Sequence, residues 1–137
     1  MVLGDFIMID KVGGIILQDK KILVQRKNNN RDECIIPGGK RDGNETDFET
    51  LKRELVEELS VELIDAEFIG GYYDIAVFSG EPIRVQTYLV NVFGKIKCNN
   101  EIKEALWIDR NYKETGIKVG SILGNYVIPE LIRRGLM

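Results

Sequence analysis

The sequence of 137 residues contains no histidine, and this absence excludes several kinds of catalysis at once. Serine or cysteine triads that rely on an imidazole base cannot form, and neither can zinc sites of the HExxH type. Any catalysis must therefore use carboxylate, lysine, tyrosine or cysteine side chains.

Cysteines are few, and an excess of basic charge and long apolar runs are missing. The two cysteines, Cys34 and Cys98, form no CxxC pair, which argues against a zinc site or a disulfide framework and favours reduced thiols in the cytoplasm. The net charge of -3 gives no reason to expect a nucleic-acid partner. No apolar run approaches the ~18 residues of a transmembrane helix, and the start of the sequence lacks the basic segment of a signal peptide, so no membrane association is expected.

The composition that remains is that of an ordinary globular protein, with 44% hydrophobic and 30% charged residues. One domain over residues 1–137 is therefore expected. β-branched and apolar runs predict two strands within residues 6–26, separated by a turn at Gln18-Asp19-Lys20. Two long antiparallel strands are predicted on either side of a turn at Gly80-Glu81-Pro82.

The last third of the chain predicts a strand and a helix. Residues 101–109 are expected to form a short helical turn that leads into an edge strand. Residues 121–135 predict a terminal helix that stops at Gly135, where a glycine can adopt the left-handed conformation that ends a helix. Within it, Pro129 marks either a kink or the true start of the helix.

A further helix is predicted to begin near Glu45 or Thr46 and to run to about Leu59. Its apolar residues fall three or four positions apart, which is the spacing of one buried stripe. The stripe consists of Phe48, Leu51, Leu55 and Leu59.

Three glutamates of the same helix, Glu54, Glu57 and Glu58, form an acidic face beside the stripe. Like charges at this spacing repel, whereas Mg²⁺ or Mn²⁺, which prefer hard oxygen ligands, would be held by all three. Carboxylates and magnesium without histidine indicate phosphoryl chemistry. Glutamates are also common on solvated helix faces, so these residues alone leave both interpretations open.

A wider pattern around this helix resembles the Nudix box. The box has a Gly, a Glu, an Arg-Glu-apolar triplet and a Glu-Glu pair at fixed spacing, followed by Gly and an apolar residue. Only Ser60 departs from it, since a Gly there commonly supplies the left-handed residue that ends the helix. The matching residues are Gly39, Glu45, Arg53-Glu54-Leu55, Glu57-Glu58 and Val61.

Flanking residues extend this resemblance over nearly the whole chain. Ile36-Pro37-Gly38-Gly39-Lys40 is similar to the lead-in of the MutT-like branch, and Glu104, three residues before Trp107, is similar to a later family segment. The resemblance implies an α/β fold of the Nudix type. This is an α/β/α sandwich with a mixed β-sheet, a catalytic loop and helix at 38–60, and a C-terminal helix.

The resemblance also implies an activity, the hydrolysis of a phosphoanhydride bond in a nucleoside diphosphate linked to another moiety, with Mg²⁺ or Mn²⁺ as cofactor. A nucleoside triphosphate, cleaved to a monophosphate and pyrophosphate, is the favoured substrate. An ADP-ribose or nucleotide-sugar pyrophosphatase is the nearest alternative. A non-catalytic nucleotide-binding regulatory domain is the third interpretation, but such relatives usually lose the box carboxylates, which are all present in this sequence.

Roles for the box residues follow from the same resemblance. The metal ligands are expected to be Glu54, Glu57 and Glu58, with the backbone carbonyl of Gly38. Glu57 is the first choice for the general base, and Arg53 steadies its carboxylate. The other catalytic candidates are Glu54, Glu101 and Glu104, of which the last two are equally explained as a solvated acidic turn. Structural roles are expected for Gly39 and for Glu45, which would pair with Arg53.

Substrate-binding residues are fewer and less distinctive. Arg26, Lys27 and Lys40 stand at strand and loop ends where family members contact phosphates. Asn125 is placed similarly to an Asn near the last helix of MutT proteins that reads a guanine, although a helix cap or a buried polar role fits equally well. Exposed strand edges leave a homodimer open.

Overall fold

The computed structural model describes residues 2–3, 6–75, 80–99 and 101–137. The strands in these residues are β1 (Val2–Leu3), β2 (Phe6–Ile7), β3 (Ile9–Ile15), β4 (Leu17–Gln18), β5 (Lys21–Lys27), β6 (Gly38–Lys40), β7 (Glu62–Ile75), β8 (Pro82–Phe93) and β9 (Ile102–Ile108). The α-helices are α1 (Asp47–Leu59) and α2 (Ile128–Arg133), and a 3₁₀ turn at Tyr112–Thr115 and a π-helical turn at Leu123–Val127 complete the helical elements.

The larger sheet is mixed, with its strands in the order β6-β3-β8-β7. Strand β3 runs parallel to β8, with Ile9 opposite Ile83 and Ile15 opposite Leu89, whereas β6 and β7 pair antiparallel to their neighbours. A smaller antiparallel sheet has the order β4-β5-β9. The predicted mixed sheet and the predicted pair of long antiparallel strands, β7 and β8, are confirmed.

Helical segments cover opposite faces of the sheets. Leu51, Leu55 and Leu59 of α1 are fully buried against one face, in a cluster that includes Val12 and Val90. Leu123, Val127 and Leu131 of the C-terminal segment are buried in a second cluster with Ile15 and Ile22. Because successive side chains of a strand point to opposite faces, β3 supplies Val12 to one cluster and Ile15 to the other. The predicted α/β/α sandwich is confirmed.

The prediction that Phe48 belongs to the buried stripe of α1 is wrong. Phe48 lies in the first turn and is 43% exposed, whereas the polar residues Thr50 and Glu58 are buried. Spacing alone gives the direction of a helix face, but the neighbouring sheet decides how far along the helix that face is covered.

The turn predicted at Gln18-Asp19-Lys20 is confirmed between β4 and β5. Asp19 and Lys20 both have positive φ, 52° and 61°. Two successive residues in this conformation make the tight turn whose twist matches that of a hairpin. The turn brings β5 beside β4 in the smaller sheet, while β3 enters the larger one.

The helical turn predicted at the start of residues 101–109 is absent, and Ile102–Ile108 form strand β9 throughout. Its pairing with β5 places Leu23 opposite Trp107 and satisfies the backbone groups that a helical turn would otherwise have satisfied. The predicted edge position is confirmed, because β9 is the outer strand of its sheet.

The terminal helix is present but not regular. A π-helical turn over Leu123–Val127 precedes α2, and Pro129 lies in the first turn of α2. Proline lacks the N–H that a continuous helix would need there, and a wider turn absorbs that defect. Gly135, with φ of 74°, follows the last helical turn. None of the helices in the part of the chain that the structure describes is long and apolar enough to cross a membrane.

Candidate active site

A capping box starts the helix that carries the three glutamates. The Thr46 hydroxyl accepts a hydrogen bond from the backbone N–H of Glu49, and the Glu49 carboxylate accepts one from the backbone N–H of Thr46, both at 3.1 Å. These two bonds satisfy backbone donors that a helix start leaves unpaired. They fix where α1 begins and therefore the direction in which its acidic face points.

Ser60 ends the same helix in the left-handed conformation, with φ of 60° and ψ of 29°. Its N–H reaches the Val56 carbonyl at 3.1 Å, and its hydroxyl accepts a hydrogen bond from the Asn99 side chain. The helix therefore ends at the position where the Nudix box usually has a glycine. A glycine there would lack the hydroxyl that accepts the hydrogen bond from Asn99.

Arg53 is the hub of the acidic face. Its Nε and Nη2 donate to the two carboxylate oxygens of Glu45 at 2.8 and 2.9 Å, and Nη1 donates to Glu54 at 2.9 Å and to Glu57 at 3.3 Å. Nη2 also donates to the Lys40 carbonyl at 3.0 Å. The hydrogen bonds from Arg53 lower the pKa of Glu45 to about 2. The expected pairing of Glu45 with Arg53 is thus present, and it ties α1 to the preceding loop.

Glu58 is the buried member of the three glutamates, with 4% of its surface exposed. Its Oε1 accepts a hydrogen bond from the Gly38 N–H and its Oε2 accepts one from Gln25 Nε2, each at 2.9 Å. Burial raises the pKa of Glu58 to about 7, in spite of these two bonds, which favour the charged form. The carboxylate is therefore held in one orientation at a site where its charge is costly.

Glu54 lies directly over the glycine strand β6. A Cβ atom at Gly39 would stand 2.4 Å from Glu54 Oε1, so a side chain there would displace the carboxylate. Gly38 has φ of 140°, and a Cβ on it would meet the Val12 carbonyl at 2.1 Å. Burial raises the pKa of Glu54. Gly38 is thus required by the backbone of β3, and Gly39 leaves the space that the Glu54 carboxylate occupies.

Glu57 is the most accessible of the three, with half of its side chain exposed. In the described residues no group of three or more acidic or thiol side chains is arranged to hold a metal ion, since Arg53 engages Glu54 and Glu57 while Gln25 and Gly38 engage Glu58. The donor set nevertheless fits a divalent cation: three carboxylates on one helix face, two of them with pKa values that burial raises.

A second ion-pair network fixes the loop between β6 and α1. Asp10 of β3 accepts hydrogen bonds from Arg41 at 3.0 Å and from Arg84 of β8 at 2.9 Å. Arg41 also pairs with Asp47, which accepts a hydrogen bond from the Tyr88 hydroxyl. The two arginines lower the pKa of Asp10 against the effect of its partial burial. The loop is therefore anchored to the sheet on the side that faces α1.

Four of the candidates outside the box form two pairs of opposite charge. Arg26 forms an ion pair with Glu104 and donates to the Asp32 carbonyl at 2.9 Å, so each side chain already has a charged or polar partner. Lys27 lies 3.9 Å from Glu101, whose side chain is 68% exposed. Register explains the first pair, because Arg26 of β5 and Glu104 of β9 are directly opposite each other. The roles predicted for these four residues stay predictions.

A cavity of about 590 Å³ opens on the face of the larger sheet opposite α1, and Gly38 and Gly39 form part of its wall. Lys27 and Lys40 line it together with Lys11 and Arg31, and the phosphate-binding role predicted for the first two stays a prediction. Its apolar walls include Ile9, Ile35, Ile83, Val85, Val119 and Ile122. The wall of the cavity therefore carries both aliphatic and basic side chains, and the two glycines of β6 in that wall approach Glu54 and Glu58 of α1.

Asn125 lines a smaller depression of about 420 Å³ instead of this cavity, with Glu33, Lys113 and Lys118 among its neighbours. Sequence reasoning missed Lys11, Arg31 and Gln25. Lys11 lies on the same face of β3 as Ile9 and Gly13, and Gln25 interrupts an apolar run in β5. A polar residue on an otherwise apolar strand face is the signal that could have identified the first and third.

Comparisons with known proteins agree with this geometry. A family model described as NUDIX domain matches residues 9–115. The solution structure of the E. coli ORF135 protein is similar, with a TM-score of 0.70 and 26% identity over 96% of this chain and 91% of that one. The crystal structure of MutT protein from Methanosarcina mazei Go1 has a TM-score of 0.72 and 21% identity over 94% of each chain. No curated protein matches the sequence significantly.

A third solved structure, the MutT NUDIX hydrolase from Burkholderia pseudomallei, has a TM-score of 0.67 and 24% identity, over 74% of this chain and 82% of that one. Since the family model covers most of the sequence, the chain belongs to the Nudix family. Its class of activity is the hydrolysis of nucleoside diphosphate derivatives, and enzymes of this family generally use divalent metal ions.

Proposed function

We propose that this chain is a Mg²⁺-dependent nucleoside triphosphate pyrophosphohydrolase, which releases a nucleoside monophosphate and pyrophosphate. One observation carries the proposal: an apolar compartment and four cationic side chains share one cavity, and its glycine wall contacts two of the box carboxylates. An apolar compartment suits a base, and the cations suit a chain of phosphates.

The proposed metal ligands are Glu54, Glu57 and Glu58 with the Gly38 carbonyl, and Mn²⁺ is an alternative ion. A bound divalent cation would supply charge neutralisation at the phosphate oxygens. Arg53 holds Glu54 and Glu57 through its Nη1, so it fixes the spacing of the two carboxylates.

Glu57 is the proposed general base, because its side chain is half exposed and can accept a proton from a water that attacks phosphorus. Glu104 is less suited to that role, since it is paired with Arg26. Lys27 and Lys40 are proposed to bind phosphate oxygens, and the product pyrophosphate leaves on the basic side of the cavity.

A substrate screen tests the proposal. Nucleoside triphosphates, ADP-ribose and nucleotide sugars are incubated with Mg²⁺ or Mn²⁺, and pyrophosphate or monophosphate release is measured for the wild type, Glu57→Gln and Glu58→Gln. We expect triphosphate turnover that both substitutions reduce by about a hundredfold or more. Glu62→Gln, at an exposed position after the helix, is the matched control. Turnover of triphosphates that survives in both active-site variants would contradict the proposal.

Turnover confined to ADP-ribose or nucleotide sugars would keep the family activity and replace the substrate. Tight nucleotide binding without any turnover would favour a regulatory domain. We further propose one domain over residues 1–137 that acts in the cytoplasm on a small-molecule nucleotide, with a homodimer compatible with its open strand edges.

A further inference from the structure

Lys11 lies in the cavity wall but is not one of the Nudix box residues. It lies on β3 between Ile9 and Gly13, on the strand face that lines the cavity, and Val85 is its neighbour on β8. Aliphatic residues occupy the surrounding positions of this wall. A lysine here places one ammonium group beside these aliphatic side chains, where solvation is reduced.

Lys40 stands directly opposite Lys11 in the antiparallel ladder between β3 and β6. Directly opposite residues share a face of the sheet, and both lysines line the cavity. Like charges in such a pair destabilise a sheet. Lys27, a third lysine of the cavity, also repels the Lys11 ammonium, and burial together with these two lysines lowers the pKa of Lys11.

The charges that compensate Lys11 are Glu54 and Glu58. These are the same carboxylates that the proposed function assigns to a divalent cation. These two carboxylates face three lysines of the cavity, so they compensate Lys11 only in part even in the metal-free protein, and a cation bound between them would reduce the compensation further. An anion in the cavity would then satisfy all three ammonium groups.

We propose that Lys11 is a specificity-determining residue, which binds a phosphate oxygen of the substrate together with Lys40 and so selects nucleotides with a polyphosphate chain. This inference rests on the proposed function and deepens it. A nucleoside triphosphate extends an anionic chain along the lysines. A nucleoside diphosphate sugar would place an uncharged sugar against at least one of them, at a cost in desolvation of the ammonium group.

The opposing explanation is that Lys11 serves only to balance Glu54 and Glu58 in the fold. The two explanations differ in what Lys11→Met should do to the metal-free protein. A balancing lysine would stabilise the fold, so its removal would lower the free energy of unfolding. A lysine kept for substrate costs stability in the free protein, so its removal should leave the free energy of unfolding unchanged or higher.

The experiment compares the wild type with Lys11→Met, Lys11→Arg and the control Lys103→Met, which removes a lysine from an exposed position on β9. Binding of inorganic tripolyphosphate is measured by calorimetry in EDTA, so that no metal is needed. We expect Lys11→Met to weaken binding about tenfold or more, Lys11→Arg to retain it within about threefold because it keeps the charge, and the control to match the wild type.

Urea unfolding of the same variants provides the second readout, and the KM values for a triphosphate and for ADP-ribose with Mg²⁺ provide the third. We expect Lys11→Met to raise the triphosphate KM about tenfold and the ADP-ribose KM by much less. Unchanged tripolyphosphate binding in Lys11→Met, no tripolyphosphate binding by the wild type, or a less stable Lys11→Met would each overturn the proposal for Lys11. A wild type that binds tripolyphosphate through Lys11 but hydrolyses no triphosphate would instead overturn the proposed function.

Discussion

Gln25 and Glu58 meet in the interior, 33 positions apart in sequence, where Gln25 Nε2 donates a hydrogen bond to Glu58 Oε2 across 2.9 Å. Gln25 is fully buried, and its Oε1 is the one buried side-chain polar atom among the described residues without a hydrogen-bond partner. An unpaired buried amide oxygen costs free energy. The amide is therefore better explained by what its nitrogen does for Glu58 than by its own stability.

Replacing Gln25 should weaken metal binding without unfolding the protein. In Gln25→Leu, Glu58 keeps only the hydrogen bond from Gly38, and its carboxylate is less firmly oriented. Partners that orient a metal ligand are commonly worth 10- to 100-fold in affinity, so we expect a loss of about tenfold in Mn²⁺ affinity. Paramagnetic resonance of free Mn²⁺ measures this directly.

The control for that substitution is Thr87→Val, which removes another fully buried polar group, one that donates to the Gly70 carbonyl at 2.7 Å. It should lower stability while leaving Mn²⁺ affinity unchanged. Equal Mn²⁺ affinities in Gln25→Leu and the wild type would show that Gln25 does not position Glu58.

Glu58 predicts an unusual dependence of stability on pH in the metal-free protein. Its pKa is raised to about 7 in the folded state, so the folded state binds its proton more tightly than the unfolded state does. The free energy of unfolding should therefore fall as pH rises from about 4.5 to about 7, by up to about 3 kcal/mol. No histidine titrates in this window, because the sequence contains none.

Denaturant unfolding in EDTA across that range, with the wild type and Glu58→Gln side by side, isolates the effect. Glu58→Gln should lose most of the decline, since a neutral amide cannot ionise. A difference between the two proteins that stays constant from pH 4.5 to pH 7 would contradict the burial of an ionisable Glu58.

Arg53→Lys should destabilise the protein although it keeps the charge. A lysine cannot replace the two parallel hydrogen bonds to Glu45 and at the same time reach Glu54. We expect a loss of about 1–3 kcal/mol in urea unfolding, together with lower turnover. Arg133→Lys is the matched control, since Arg133 pairs with Glu130 at an exposed position of α2 where such pairs contribute little. Equal losses in both variants would argue against Arg53 as the hub.

Ser60→Gly should stabilise the protein by up to about 1 kcal/mol, because glycine adopts the left-handed conformation without the cost that a side chain brings. The serine hydroxyl also accepts a hydrogen bond from Asn99, and losing it offsets part of this gain. The gain should therefore be larger in an Asn99→Ala background. Thermal unfolding of the four proteins measures this coupling, and a destabilising Ser60→Gly in both backgrounds would count against the strain.

The sequence predicted those parts of the fold that local patterns specify. Helix α1 spans Asp47–Leu59, close to the predicted start near Glu45 or Thr46 and the predicted end at about Leu59, and the turn before β5 lies where expected. The prediction that Phe48 belongs to the buried stripe was wrong, because exposure there depends on how far the sheet extends under the helix. The helical turn predicted before β9 was wrong, because the pairing of β9 with β5, distant in sequence, overrides a local helical preference.

The site divides in the same way. The box residues and their spacing indicate the family and its class of activity. The resemblance also implies the pairing of Glu45 with Arg53, which the structure contains. Lys11 and Gln25 stand out in the sequence only as polar residues on apolar strand faces. Their partners could not be predicted, since they depend on the β3–β6 ladder and on the approach of β5 to α1, neither of which is visible in a local window.

The parallel pairing of β3 with β8 has a consequence for how the protein is made. The wall of the cavity joins a strand near the start of the chain to one that begins at Pro82, so this wall is incomplete until the second strand has left the ribosome. Helix α1 and the hairpin before β5 depend on near neighbours and can form earlier, whereas long-range parallel pairing is slow. During synthesis, β3 therefore stays without its partner β8 until the later strand has been made. Substitutions that weaken β8 should reduce the yield of folded protein before they reduce the activity of the molecules that fold.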